Sequence, residues 1–204
     1  MQRYELAILQ TSISVAAKAA PGVEAFCRAP EAGGRLLGLW ATEIGALNQL
    51  YVLRGFRDDA ELSAERQRTL HAANPFGASE FLQDLSLETH APFPDLPPVE
   101  TGAFGPFYEV RTYRLLPGAL PRLLDNWRPM LPARREMSRL VTAMYALDGA
   151  PRFSHIWAYG DLNQRAAVRA DAIARGVWPP PGGAQVLKEM RSTITLAVPG
   201  SPLG

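Results

Sequence analysis

Two runs of alternating residues gather the groups in this chain that could do chemistry. In Tyr108-Glu109-Val110-Arg111-Thr112-Tyr113, strand alternation puts Glu109, Arg111 and Tyr113 on one face, opposite Tyr108 and Val110. Alternate strand residues lie roughly 7 Å apart, so the three can line one pocket. Arg111 would hold a substrate oxyanion while Glu109 or Tyr113 moves a proton. The plainer reading is that Glu109 and Arg111 neutralise each other, because a buried ion must be paired. In the second run, Phe153, His155, Trp157 and Tyr159 share a face opposite Ser154, Ile156 and Ala158. His155 is the candidate general base, since imidazole ordinarily titrates near neutrality. Its plainer reading is a hydrogen-bonded core histidine, and that of Trp157 and Tyr159 is core or pocket wall. If the apolar and small faces pack beneath helices, the Glu109 and His155 faces look the other way, into the interior of a barrel.

Other candidates are weaker. Glu43 and Asn48 flank the second and third strands and could cap one mouth of the barrel, but solvation of Glu43 and a turn hydrogen bond from Asn48 are the plainer readings, and Trp40 reads as core. His71 and His90 have no second ligand at zinc-site spacing, so no metal is expected. Haem on one histidine would have no motif here. Gly33-Gly34-Arg35-Leu36-Leu37-Gly38 matches neither a dinucleotide nor a P-loop spacing, and no Gly-x-Ser-x-Gly elbow occurs. No cofactor is expected. Cys27 is the only cysteine, which excludes a disulfide framework and reads as an inert thiol. With 21 basic against 20 acidic residues the formal charge is +1, and no global field recruits nucleic acid or a membrane. Arg66, Arg68, Arg165, Arg169 and Arg175 recur at helical spacing and read as solvated outer faces. With no signal peptide and no apolar run long enough to span a bilayer, a soluble cytoplasmic protein is expected.

The elements that must position these residues occur twice. Strands are predicted over Arg3–Ile13, Gly34–Thr42, Asn48–Phe56 and Leu85–Phe93, with helices over Val23–Ala29, from Asp58 to Ala73, and over Ala78–Gln83. A Pro/Gly-rich connector follows, with Pro92, Pro94, Pro97, Pro98 and Gly102. The order then repeats. Strands are predicted over Phe107–Leu115, Leu140–Leu147, Phe153–Gly160 and Met190–Val198, a Pro-interrupted helical region over Ala119–Met137, and a helix from Asp161 to Arg175. Tyr4 and Glu5 match Tyr108 and Glu109, Asp58 matches Asp161, and Arg66 matches Arg169. Residues 1–98 and 107–204 are therefore two modules, joined by 99–106. Each has the ferredoxin-like βαββαβ order, an α+β fold whose open sheet face needs a cover. Two such antiparallel sheets within one chain would close into a single intramolecular barrel.

At YEVRTYRLLPGALP and HIWAYGDLNQRAAVR the second module resembles the NIPSNAP family, and GLWATEIGALNQ resembles the same family's central segment. The resemblance covers nearly the whole chain, as two modules. It implies the dimeric α+β barrel fold, with both halves in one chain. It also implies a small-molecule or vesicle-associated binding protein, with cofactor-free oxygenases and isomerases among neighbouring barrel families. Ala7 and Leu9 stand where the second module has Arg111 and Tyr113, and Val52 and Arg54 where it has His155 and Trp157. Any pocket should therefore be asymmetric.

Two functional readings follow. One is a small-molecule ligand in the barrel, with cofactor-independent acid–base chemistry (isomerisation, cyclisation, dehydration or oxygenation) on an apolar or aromatic substrate. His155 would be base, Arg111 oxyanion holder and Glu109 a second acid, with Tyr113, Trp157, Tyr159, Trp40, Glu43 and Asn48 binding substrate. The other is a non-catalytic scaffold whose barrel is filled by side chains. A cavity of about 300 Å³ or more reached by Glu109, Arg111 and His155 would favour the ligand site, and side chains filling the barrel would favour the scaffold. Pairing of two such chains into a homodimer is left open.

Overall fold

The tandem repeat is realised as one closed barrel. The computed structural model describes residues 1–204 apart from the side chain of Ala184. The first half comprises β1 (Arg3–Thr11), α1 (Ala16–Cys27), β2 (Arg35–Ile44), β3 (Gln49–Phe56), α2 (Asp59–His71) and β4 (Leu82–Pro92). The second comprises β5 (Phe107–Leu115), α3 (Leu120–Trp127), α4 (Leu131–Met137), β6 (Arg139–Ala146), β7 (Arg152–Tyr159), α5 (Leu162–Ala174) and β8 (Leu187–Ala197). Strand order is β1-β3-β2-β8-β5-β7-β6-β4, returning to β1. The halves join where β2 meets β8 and where β4 meets β6, antiparallel at both seams.

Local chemistry explains most boundaries. Asp58 and Asp161 each accept a hydrogen bond from the backbone N–H three residues on, capping α2 and α5. Pro121 and Pro132 lie in the first turns of α3 and α4, where a missing N–H does no harm. The helix expected from Val23 begins instead at Ala16 and runs through Pro21, because Ala19, Ala20 and Val23 bury one face against the sheet. Gly22 there meets the loop before β4: a Cβ would lie 2.2 Å from the carbonyl oxygen of Gly77. The helix expected over Ala78–Gln83 does not form; a short 3-10 turn at Pro75–Gly77 precedes β4.

The two faces of the sheet are the reverse of the expectation. One buried cluster contains Tyr4, Leu6, Trp40, Leu53, Tyr108, Val110 and Ile156, with no helical residue, and this is the barrel interior. Trp40 packs on Tyr108 across the halves, ring centroids 5.1 Å apart. Val99 of the connector joins this cluster and donates its N–H to the Tyr4 hydroxyl at 3.1 Å. The Glu109 and His155 faces instead look outward, beneath α3, α4 and α5. An eight-stranded barrel has room for little beyond its own side chains. The apolar, hydrogen-bond-poor face suits that dry interior. The bulky mixed face packs under helices that bring arginines to meet it.

Candidate functional site

Pairing of β5 with β7 sets Glu109 opposite Trp157, Arg111 opposite His155 and Tyr113 opposite Phe153. All six belong to the outer face. Over Arg111 and Tyr113 the covering layer is incomplete and leaves a cavity of about 570 Å³. Leu123, Asn126 and Trp127 of α3, Arg169 and Ile173 of α5, the Trp178–Pro181 segment, and Val186 to Met190 complete its lining. The gap has a local cause. The helical layer here is broken between Trp127 and Leu131, and Trp178-Pro-Pro-Pro cannot be helical. The Asn126 amide holds that segment by donating to the Pro181 carbonyl at 3.0 Å.

In the first half the same layer is sealed. The Arg111–His155 register is repeated there as Ala7 opposite Val52. Ala7, Leu9, Leu50 and Val52 are all fully buried, against α1 residues Ala19, Ala20 and Val23. One uninterrupted helix with small side chains closes what α3 and α4 leave open. The asymmetry expected from sequence is present, on the outside of the barrel.

His155 lies one layer behind the cavity, at 1% exposure. Rings of Tyr113, Trp127, Phe153 and Trp157 surround it, with centroids 4.8 to 6.2 Å away. Its Nδ1 accepts from the Trp157 indole at 2.7 Å, while Nε2 is buried without a partner. Burial first, then the charges of Arg111, Arg134 and Arg169, pushes its pKa well below the ordinary value. A neutral ring with Nδ1 occupied carries its proton on Nε2. His155 therefore offers a hydrogen-bond donor, and the base role read from sequence has no free lone pair to use.

Glu109 is also buried. Its Oε1 accepts from Arg165 Nη2 and Ser192 Oγ, both at 2.6 Å, with Arg111 Nη1 at 3.5 Å. Burial pushes this carboxyl up, but those hydrogen bonds and the arginine charges outweigh it and hold the pKa below the usual value. Glu109 is thus an ionised anchor for Arg165. Arg165 points inward to that carboxylate, and Arg66 likewise to Glu5, so neither is the solvated surface residue expected from helical spacing.

Arg111 alone of the three expected catalytic residues reaches the cavity, with Tyr113 beside it, the guanidinium 5.4 Å from the ring centroid. Trp157 and Tyr159 stand behind the wall around Arg134, whose guanidinium lies 4.2 Å from the Trp157 ring and 5.9 Å from Trp178. Trp40 is in the barrel interior. Glu43 is exposed. Asn48 holds a turn with φ near 60°, accepting from the N–H of Ser14 and, through its carbonyl, of Thr11. None of these last three approaches the cavity lining. Sequence reasoning missed Trp127, Trp178, Asn126 and Arg169; the available signal was Trp178 directly before Pro179 and Trp127 two residues before Pro129. No group of three or more His, Cys, Asp or Glu converges among the described residues.

The pattern of the NIPSNAP family matches residues 4–90 and again 108–202. Protein NipSnap homolog 1 of Danio rerio is 29% identical over 99 residues, covering 47% of this chain and 36% of its own. Protein NipSnap of Drosophila melanogaster is 24% identical over 153 residues, covering 72% of this chain and 54% of its own. The chain thus spans only a third to a half or so of the length of these curated relatives. Among solved structures, an anthrone oxidase-like protein superposes with a TM-score of 0.69 at 12% identity, covering 97% of this chain and 91% of that one. That likeness is one of fold.

Proposed function

The chain belongs to the NIPSNAP family, and from that premise we propose that its second half binds a flat apolar or aromatic small molecule against the outer face of the sheet. The observation that carries this reading is the cavity of about 570 Å³ walled by Trp127, Trp178, Leu123 and Val186. Ligand sites usually fall at roughly 300–1,000 Å³, with apolar walls and a few polar groups. The barrel interior, where sequence placed the ligand, is packed with Trp40, Tyr108 and their neighbours, and the ligand moves to the outer layer.

Arg111 is the group that would face a substrate oxygen as negative charge develops on it. Glu109 and Arg165 form the fixed ion pair beside it, and His155 stiffens the aromatic wall. This arrangement suits binding and oxyanion stabilisation. A cofactor-independent isomerisation, cyclisation, dehydration or oxygenation is the catalytic form of the proposal. The anthrone oxidase-like neighbour is a fold analogy for the last of these and nothing closer. The filled barrel interior favours the scaffold alternative, whereas the outer cavity, which Arg111 reaches and Glu109 and His155 do not, favours a ligand.

The test is mass spectrometry of small molecules released from purified protein. Wild type should release a specific apolar or aromatic compound, depleted in Ile173→Trp, which adds bulk at an exposed lining position. Identical extracts from both proteins would count against the site.

A further inference from the structure

We propose that the ligand of this cavity is an aromatic anion, a carboxylate or sulfonate, whose charged oxygens sit between Arg111 and Arg169. This rests on the binding site proposed above and names its ligand class.

The charge count around the cavity is unbalanced. Arg111, Arg169 and Lys188 line it, against one acid, Glu189. Glu189 is half exposed and faces Arg114 and Arg191, each at 3.6 Å. Behind the wall, Oε1 of Glu109 accepts from Arg165 and Ser192 and lies 3.5 Å from Arg111, while its Oε2 is buried without a partner. The Nε of Arg111 is buried without a partner. Arg169 makes no hydrogen bond or ion pair among the described residues. Two cations thus share the edge of an apolar cavity, close enough that Arg111 bears on the ionisation of Arg169.

The first half shows how the same layer balances its charges when no ligand is needed. Arg66, the counterpart of Arg169, reaches Glu5 at 3.2 Å and Asp148 at 3.5 Å. Arg54 lies between Glu5 and Glu65. Each buried cation there has a carboxylate from the chain itself. In the second half the sheet offers Arg111 where the first has Ala7, with no added acid to meet it. A bound carboxylate or sulfonate supplies the missing anion, and a guanidinium recognises its two oxygens with paired N–H groups. The rest of the ligand is aromatic because Trp127 and Trp178, nearly perpendicular with centroids 4.6 Å apart, offer flat walls.

Two fluorescent probes that differ chiefly in a sulfonate test this: 8-anilinonaphthalene-1-sulfonate and neutral N-phenyl-1-naphthylamine. Wild type should bind one sulfonate per chain at least tenfold more tightly than the neutral probe. Arg169→Gln should weaken the sulfonate about tenfold and leave the neutral probe unchanged, and Arg169→Lys should restore most of the loss. Ile173→Trp should weaken both. Equal affinity for the two probes, or no effect of Arg169→Gln, would overturn the anion while leaving the site in place. No stoichiometric binding of either probe would overturn the site and the anion together.

Discussion

The indole N–H of Trp157 donates to Nδ1 of His155 at 2.7 Å, two residues apart on β7 and one layer beneath the cavity. Indole nitrogen can only donate, so this bond fixes the histidine tautomer. It makes the one imidazole of the site a rigid neutral element.

Trp157→Phe keeps the aromatic surface under Arg134 but strands that histidine nitrogen. Leaving a buried acceptor unpaired costs about 1–3 kcal/mol. Urea unfolding should show that loss, and nitrogen NMR of His155 should show the tautomer becoming mixed. An unchanged histidine spectrum would mean the bond does not form.

Arg54 is 1% exposed and held by Glu5 and Glu65, which are equally buried. Arg54→Met removes one guanidinium from two buried carboxylates, of which Glu5 keeps Arg66 and Glu65 keeps Arg68, and should cost about 1–3 kcal/mol. Arg165→Met leaves Glu109 with Ser192 and the more distant Arg111, and Arg165 is a quarter exposed, so its loss should be the smaller of the two. Equilibrium unfolding of both variants gives the ranking directly.

Acid should destabilise the fold through its buried histidines. Burial first lowers His90 to about 4, with Glu88, Arg152, Asp148 and Arg66 around it. An unfolded histidine takes its proton near pH 6.5, so the unfolded chain binds protons first as pH falls. Stability owed to His90 is level above pH 6.5 and declines toward pH 4, by about 3 kcal/mol in all. His155 acts in the same direction. Glu88, raised chiefly by burial, acts oppositely, so the informative comparison is with a variant. Between pH 7.5 and 4.5, His90→Gln should lose about 2 kcal/mol less than wild type; equal losses would contradict the assignment.

The repeated caps make a matched pair of predictions. Asp58 accepts from the N–H of Glu61 at 2.9 Å and Asp161 from that of Gln164 at 2.7 Å. Alanine at either position should cost about 1 kcal/mol, measured by thermal or urea unfolding.

These caps were legible in the sequence because a cap is local: an Asp, a spacing of three and a helical run suffice. The strand order of both halves and closure of the barrel were legible for a similar reason, since the βαββαβ order leaves one face to cover. Which face is covered by what was not legible. Tyr108 and Val110 fit beneath a helix as well as inside a barrel, and only the closed sheet decides. The cavity was hidden too, because it depends on where α3 stops and on the path of Trp178-Pro-Pro-Pro, both set by tertiary packing. Arg169 looked like any helical surface arginine until its neighbours were in place.

The central claim is that the ligand lies between the sheet and the helices of the second half, outside the barrel. The chain has four tryptophans, and their indole N–H signals report the two places separately. Trp127 and Trp178 line the cavity, whereas Trp40 is in the barrel interior. In a proton–nitrogen NMR titration with 8-anilinonaphthalene-1-sulfonate, the Trp127 and Trp178 indole signals should move saturably while Trp40 stays in place. Movement of Trp40 with Trp127 and Trp178 unmoved would put the ligand inside the barrel and contradict the account.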